Sequence, residues 1–167
     1  MKRIKVLELQ KTRGKFEIIT NKIAEYKGMC GVWAMYDNHE QLLEVAQTAD
    51  VYKELDYDLS WLLKDYSNEK DLRIKYPARI LFGFNKKFDV LHCDKNRRTA
   101  KYRIIAENSE KVIVYLIIED RAMSEDKKTR EGIELEIAVD NKALYWNAYG
   151  KQRKLAKDYY KNKYALK

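Results

Sequence analysis

Two seven-residue runs, Gly31–Asp37 (GVWAMYD) and Leu42–Thr48 (LLEVAQT), enclose the polar turn Asn38, His39, Glu40 and Gln41, and a helical pattern follows at once. Short apolar runs closing on a polar turn of this length fold as an antiparallel hairpin. In the next segment, ADVYKELDYDLSWLLKDYS, Val51, Leu55, Leu59, Leu62 and Leu63 recur at helical spacing and Asp50 stands where an N-cap is needed. This strand-turn-strand-helix unit commits the chain to a sheet with a helix laid against it.

Downstream, KYRIIA (101–106) and KVIVYLIIE (111–119) are rich in β-branched residues and flank the turn residues Glu107 to Glu110, which predicts a second hairpin. Residues 79–84 read as a strand, while 72–76 and 86–94 fit no single pattern. After Ser124, a capping residue, EDKKTREGIELEIAVDNKAL places Ile133, Ile137 and Ala138 on one helical face. Gly132 weakens that helix by on the order of 1 kcal/mol relative to alanine. The expected class is α+β: a small mixed or antiparallel sheet flanked by helices, ending in a basic C-terminal helix.

With 167 residues, 46% hydrophobic, the chain has apolar material for one core, so a single domain is expected, with its core over about 15–149 and the basic helix over 150–167. One proline and the lack of a low-complexity linker agree. No apolar run approaches the roughly 18 to 20 residues that cross a bilayer. The opening MKRIKVLELQ alternates charge with aliphatics and reads as mature structure rather than a leader, so a cytoplasmic protein without a membrane partner is expected. Cys30 and Cys93 lack paired metal spacing and read as two reduced thiols.

A Gly-aliphatic-aromatic first strand, Gly31, Val32 and Trp33, is followed by Glu44, Val45, Ala46, Gln47 and Thr48 and a helix from Asp50. Later come Glu134 and Glu136 on a helix, then Tyr145, Trp146 and Asn147. In this order the residues resemble the GIY-YIG endonuclease family, over 31–55 and 130–147. The resemblance implies a GIY-YIG-like fold, water attacking a phosphodiester, and one Mg²⁺ or Mn²⁺ ion held by Glu136 or Glu134, with Asp140 a turn beyond. It also implies catalytic positions at Trp33, Glu44, Lys53 and Asn147, with Tyr36 or Tyr52 as substitutes reaching the same cleft. The chain departs from the pattern where the family has its tyrosines: Trp33 cannot accept a proton, and Glu44 reverses the local chemistry. The family's helix arginine falls near Lys53 or Glu54, and a lysine lacks the guanidinium fork. Glu44 is also a candidate replacement metal ligand.

After Gly150 the chain carries seven cations against Asp158, a surplus of six out of a net charge of +8. Lys151, Arg153, Lys154, Lys157 and Lys161 on one element suit a DNA or RNA backbone, because aligned cations displace condensed counterions. Tyr159, Tyr160 and Tyr164 interleave with them and suit either base stacking or docking on the body. A second basic stretch holds Arg97, Arg98, Lys101 and Arg103, read as a phosphate-contacting loop. The bland readings are a solubilising helical end and an ordinary charged loop. The expected function is thus a nucleic-acid-binding protein, a diverged or inactive metal-dependent endonuclease. The rival is a non-enzymatic, protein-binding regulator of phage or plasmid type that uses the fold as a scaffold.

Overall fold

The computed structural model describes residues 1–65, 97–146, 154–155, 158–159 and 162–163, with 97–100 described by backbone alone. The readings at 72–76, 79–84 and 86–94, together with His92 and Cys93, lie outside them. Among the described residues five strands, β1 (Arg3–Thr12), β2 (Lys15–Asn21), β3 (Gly31–Asp37), β4 (Leu42–Thr48) and β5 (Lys111–Ile117), form one sheet in the order β2-β1-β5-β3-β4. Every ladder is antiparallel. Helices α1 (Val51–Leu62), α2 (Arg97–Asn108) and α3 (Lys127–Asp140) complete an α+β fold.

The hairpin β3–β4 forms as its pattern predicts. Asp37 Oδ1 accepts from the backbone N–H groups of His39 and Gln41, holding the turn closed. Gly31 opens β3 at a crowded spot: an added Cβ would meet Leu116 and Val51 side-chain carbons at 3.0 Å. Asp50 caps α1, its carboxylate accepting from Lys53 N at 3.0 Å. We expect Asp50→Ala to cost about 1 kcal/mol in urea unfolding, the usual worth of such a cap.

Two cores form because strand residues alternate between faces. On one face Leu7, Leu9, Trp33, Met35, Val112 and Val114 pack with Leu55 and Leu59 of α1 and with Tyr102 and Ile105 of α2. On the other, Val32, Ala34, Leu42, Val45 and Ile117 pack with Ile133, Ile137 and Ala138 of α3, the face the sequence assigned to burial.

Three sequence expectations need correction. Residues 101–106 lie in α2, not in a strand or loop, because Tyr102 and Ile105, one turn apart, both bury against the sheet and α1; packing overrides β-propensity. Helix α3 is capped by Asp126, which accepts from Thr129 N, two residues beyond Ser124. The core also reaches back before residue 15, since β1 supplies buried Val6, Leu7 and Leu9 at the centre of the sheet. The β1–β2 hairpin turns on Arg13 and Gly14, both with positive φ (54° and 80°), the backbone of a tight two-residue hairpin turn.

No helix among the described residues is long and apolar enough to cross a membrane.

Candidate functional site

Strand β4 is an edge of the sheet, so the backbone N–H of Gln47 points away from β3 and needs a partner. Glu134 of α3 supplies it, accepting from Gln47 N at 3.3 Å with one oxygen and from Trp146 Nε1 at 2.8 Å with the other. Across the same edge Trp33 Nε1 donates to Glu54 Oε1 of α1 at 3.3 Å. Burial pushes the Glu134 carboxyl up to about 7; the two donors oppose this, and the charges of Glu131 and Glu54 add to it. The edge thus gathers Trp33, Glu54 and Glu134, three positions singled out by the family pattern. Beside it an open groove of about 740 Å³ is lined by Thr48, Asp50, Lys53, Glu54, Tyr57 and Ser60.

Other candidates lie elsewhere. Glu44 points to the α1–α2 face, where Lys101 Nζ and Tyr102 Oη donate to its two oxygens. Both Glu44 and Lys101 are 7% exposed. Lys101 is therefore a buried counter-ion rather than a phosphate-contacting residue, and Glu44 is not on the Glu136 side of the sheet. Glu136 faces out from α3 and accepts a two-pronged pair of hydrogen bonds from Arg121 at 3.2 and 3.1 Å. Tyr36 lies on the α3 face of β3, opposite Trp33. Lys53 is exposed on α1, and Arg103 pairs with Glu107 one turn on. Asn147, Lys151, Arg153, Lys157 and Lys161 lie outside the described residues, as do the side chains of Arg97 and Arg98.

The metal expectation can be weighed from these contacts. Glu134 and Glu136 are two residues apart on α3 and point to different surroundings. Each has both oxygens engaged, one by two N–H donors and the other by a guanidinium. Among the described residues no three His, Cys, Asp or Glu side chains gather as a ligand set. With both oxygens of each carboxylate engaged, neither Glu136 nor Glu134 fits the single hard divalent ion expected at one of them.

Asp140, at the end of α3, has a different use. Tyr159 Oη donates to both of its oxygens at 3.1 and 3.2 Å, and Lys163 Nζ pairs with it at 2.8 Å. Asp140, and then Tyr159, hold Lys163 above its ordinary pKa. Tyr159 also packs on the α3-side core. The described tail residues are helical and, through this anchor, sit on the α3 side of the sheet.

That side carries a feature sequence reasoning missed. Helix α3 rests chiefly on β4 and β3, leaving the same face of β5, β1 and β2 without a described helix over it. There Tyr36 and Tyr115 meet edge to face with centroids 5.7 Å apart, and the Arg3 guanidinium lies 4.0 Å from the Tyr115 centroid and 4.9 Å from that of Tyr36. Lys5 and Lys111 lie on the same face, both pairing with Glu8 at 2.8 Å. Lys111 and then Lys5, donating to it, hold the Glu8 carboxyl below its ordinary pKa. Charge is segregated to match: residues 1–27 carry eight cations and three anions, whereas 28–65 carry two cations and eight anions. Alternation places Arg3 and Lys5 on one face once β1 is read as a strand, and the register shift between Lys5 and Leu7 brings Glu8 and Gln10 to that face as well.

No family model, curated protein or solved structure matches this chain. Its function has to be argued from the arrangement of its own residues.

Proposed function

We propose that the chain is a nucleic-acid-binding protein of GIY-YIG-like fold that grips the phosphate backbone without cutting it. The observation that carries this reading is that the basic tail is anchored through Asp140 on the same side of the sheet as Arg3, Lys5 and Lys111. Lys163 near the C-terminal end thereby stands on the side of the sheet that carries Arg3, Lys5 and Lys111, and cations gathered on one side suit the release of counterions from a polyanion.

The β4 edge supports the second half of the reading. Cleavage needs a base near the attacking water and cations around the phosphate. Here an indole stands at Trp33, and two carboxylates, Glu54 and Glu134, occupy the edge with their indole donors. Glu134 is already engaged by Gln47 N and Trp146 Nε1 and Glu54 by Trp33 Nε1, and an indole N–H does not take up a proton.

The test is binding of labelled duplex and single strands across a salt series. Affinity should fall log-linearly with salt, with a slope of roughly 0.9 per phosphate contact on duplex. Replacing Lys151, Arg153, Lys154, Lys157 and Lys161 by glutamine, with Tyr159 and Lys163 retained, should flatten that slope by several contacts. An unchanged slope would remove the tail from the interface. Tight binding to a polyglutamate peptide but not to nucleic acid would favour the protein-binding regulator instead. With supercoiled plasmid and Mg²⁺ or Mn²⁺ no nicking is expected; nicking that disappears in Glu134→Ala would overturn the non-cleaving reading.

A further inference from the structure

We infer that the half of the sheet that no described helix covers is a stacking platform for unpaired bases, centred on Tyr115 and Tyr36. This rests on the nucleic-acid reading and names its substrate class: a single strand rather than a duplex. Three observations lead to it. The two rings are half-buried side by side on a sheet face that no described helix covers. The slot over Tyr115 already holds a flat, delocalised group, the Arg3 guanidinium at 4.0 Å, so its shape suits a planar base. Lys5 and Lys111 stand together on the same face, sharing the single carboxylate of Glu8, which leaves a positive surplus beside the rings.

The physics favours a single strand over a duplex. Bases in a duplex are stacked on one another and offer only their edges, whereas unpaired bases present faces that aromatic rings bind with little regard to sequence. A base entering over Tyr115 displaces the guanidinium of Arg3, the exposed first residue of β1, whose long side chain can then swing to a phosphate. Lys5 and Lys111, already at the rim, take the flanking phosphates.

The experiment compares three probes on the full chain at fixed salt: a short oligothymidylate, an abasic strand of equal length, and a duplex. The abasic strand carries the same phosphates without bases, so it separates stacking from charge. The wild type should bind oligothymidylate about 10-fold or more tightly than the abasic strand, the effect of stacking one or two bases. Tyr115→Leu should erase that gap while leaving duplex affinity and its salt slope unchanged, and Tyr115→Phe should keep it.

Equal affinity of the wild type for the two strands overturns the platform without any variant, so a misfolded Tyr115→Leu cannot shelter it. Persistence of the gap in folded Tyr115→Leu and in Tyr36→Leu overturns it as well. If both strands bind with a steep salt slope and no gap, only the platform fails. If no nucleic acid binds with a salt slope, the function proposed above fails with it.

Discussion

Lys101→Met is expected to destabilise the protein by about 3–5 kcal/mol, the cost of leaving a buried charge without its partner. The Glu44 carboxylate lies between Lys101 Nζ and Tyr102 Oη in the interface of the sheet with α2, and methionine would leave it one neutral donor. For a chain of this size that lowers the melting temperature by roughly 10 °C or more. Glu44→Leu combined with Lys101→Met should recover most of the loss, since an apolar pair of similar volume replaces a desolvated ion pair at little cost. Thermal unfolding of the two variants decides it: a single variant as stable as wild type would mean that the pair is hydrated and not a buried link between β4 and α2.

The second large effect is set by pH. The Glu134 carboxyl is raised from an ordinary value of 4.5 to about 7. A carboxyl raised on folding binds protons more readily in the folded than in the unfolded state. Its favourable contribution is therefore complete below about 4.5 and is lost as pH rises through 7. The size is about 3 kcal/mol, from the shift and 1.36 kcal/mol per unit. Glu134→Gln has no charge to bury, so its stability relative to wild type should improve by about 2–3 kcal/mol between pH 4.5 and 8. Urea unfolding at both ends of that range measures the difference. Glu8 and Asp126, whose carboxyls are lowered, add a trend of opposite sign to both proteins, and it cancels in the comparison. Parallel pH profiles for the two proteins would show that water reaches Glu134 at the β4 edge.

Legibility followed how local each signal was. The β3–β4 hairpin and α1 were readable because their turn, cap and apolar period all lie within some thirty contiguous residues, and Asp37 and Asp50 act on backbone groups close in sequence. The α3 face was readable for the same reason. Helix α2 was not: KYRIIA carries strand-favouring side chains, and the contacts that make it helical, Tyr102 and Ile105 against the first core, come from distant parts of the chain. The hairpin of β1 and β2 escaped notice because Arg13-Gly14 is a weak turn signal and because Lys and Glu alternate with its aliphatics.

The candidate site divides along the same line. Glu134 was nominated from its place after the hairpin and helix, yet its partners, Gln47 N and Trp146 Nε1, are supplied by an edge strand and by the segment after α3. Glu44 and Glu136 looked alike as candidate metal ligands on regular elements; the fold buried one against Lys101 and clasped the other with Arg121. The stack of Arg3 on Tyr115 and Tyr36 joins three strands and has no counterpart in any local motif.

What the sequence by itself determined is the α+β class, the hairpin and helix at its centre, and the basic character of the tail, because propensity, periodicity and charge are properties of neighbouring residues. Only the tertiary structure decided that β1 and β5 run through the middle of the sheet, that Lys101 is buried, and that Tyr159 and Lys163 anchor on Asp140. Those outcomes depend on which face of a strand meets which helix, and the free energy that selects the pairing resides in contacts between residues far apart in the chain.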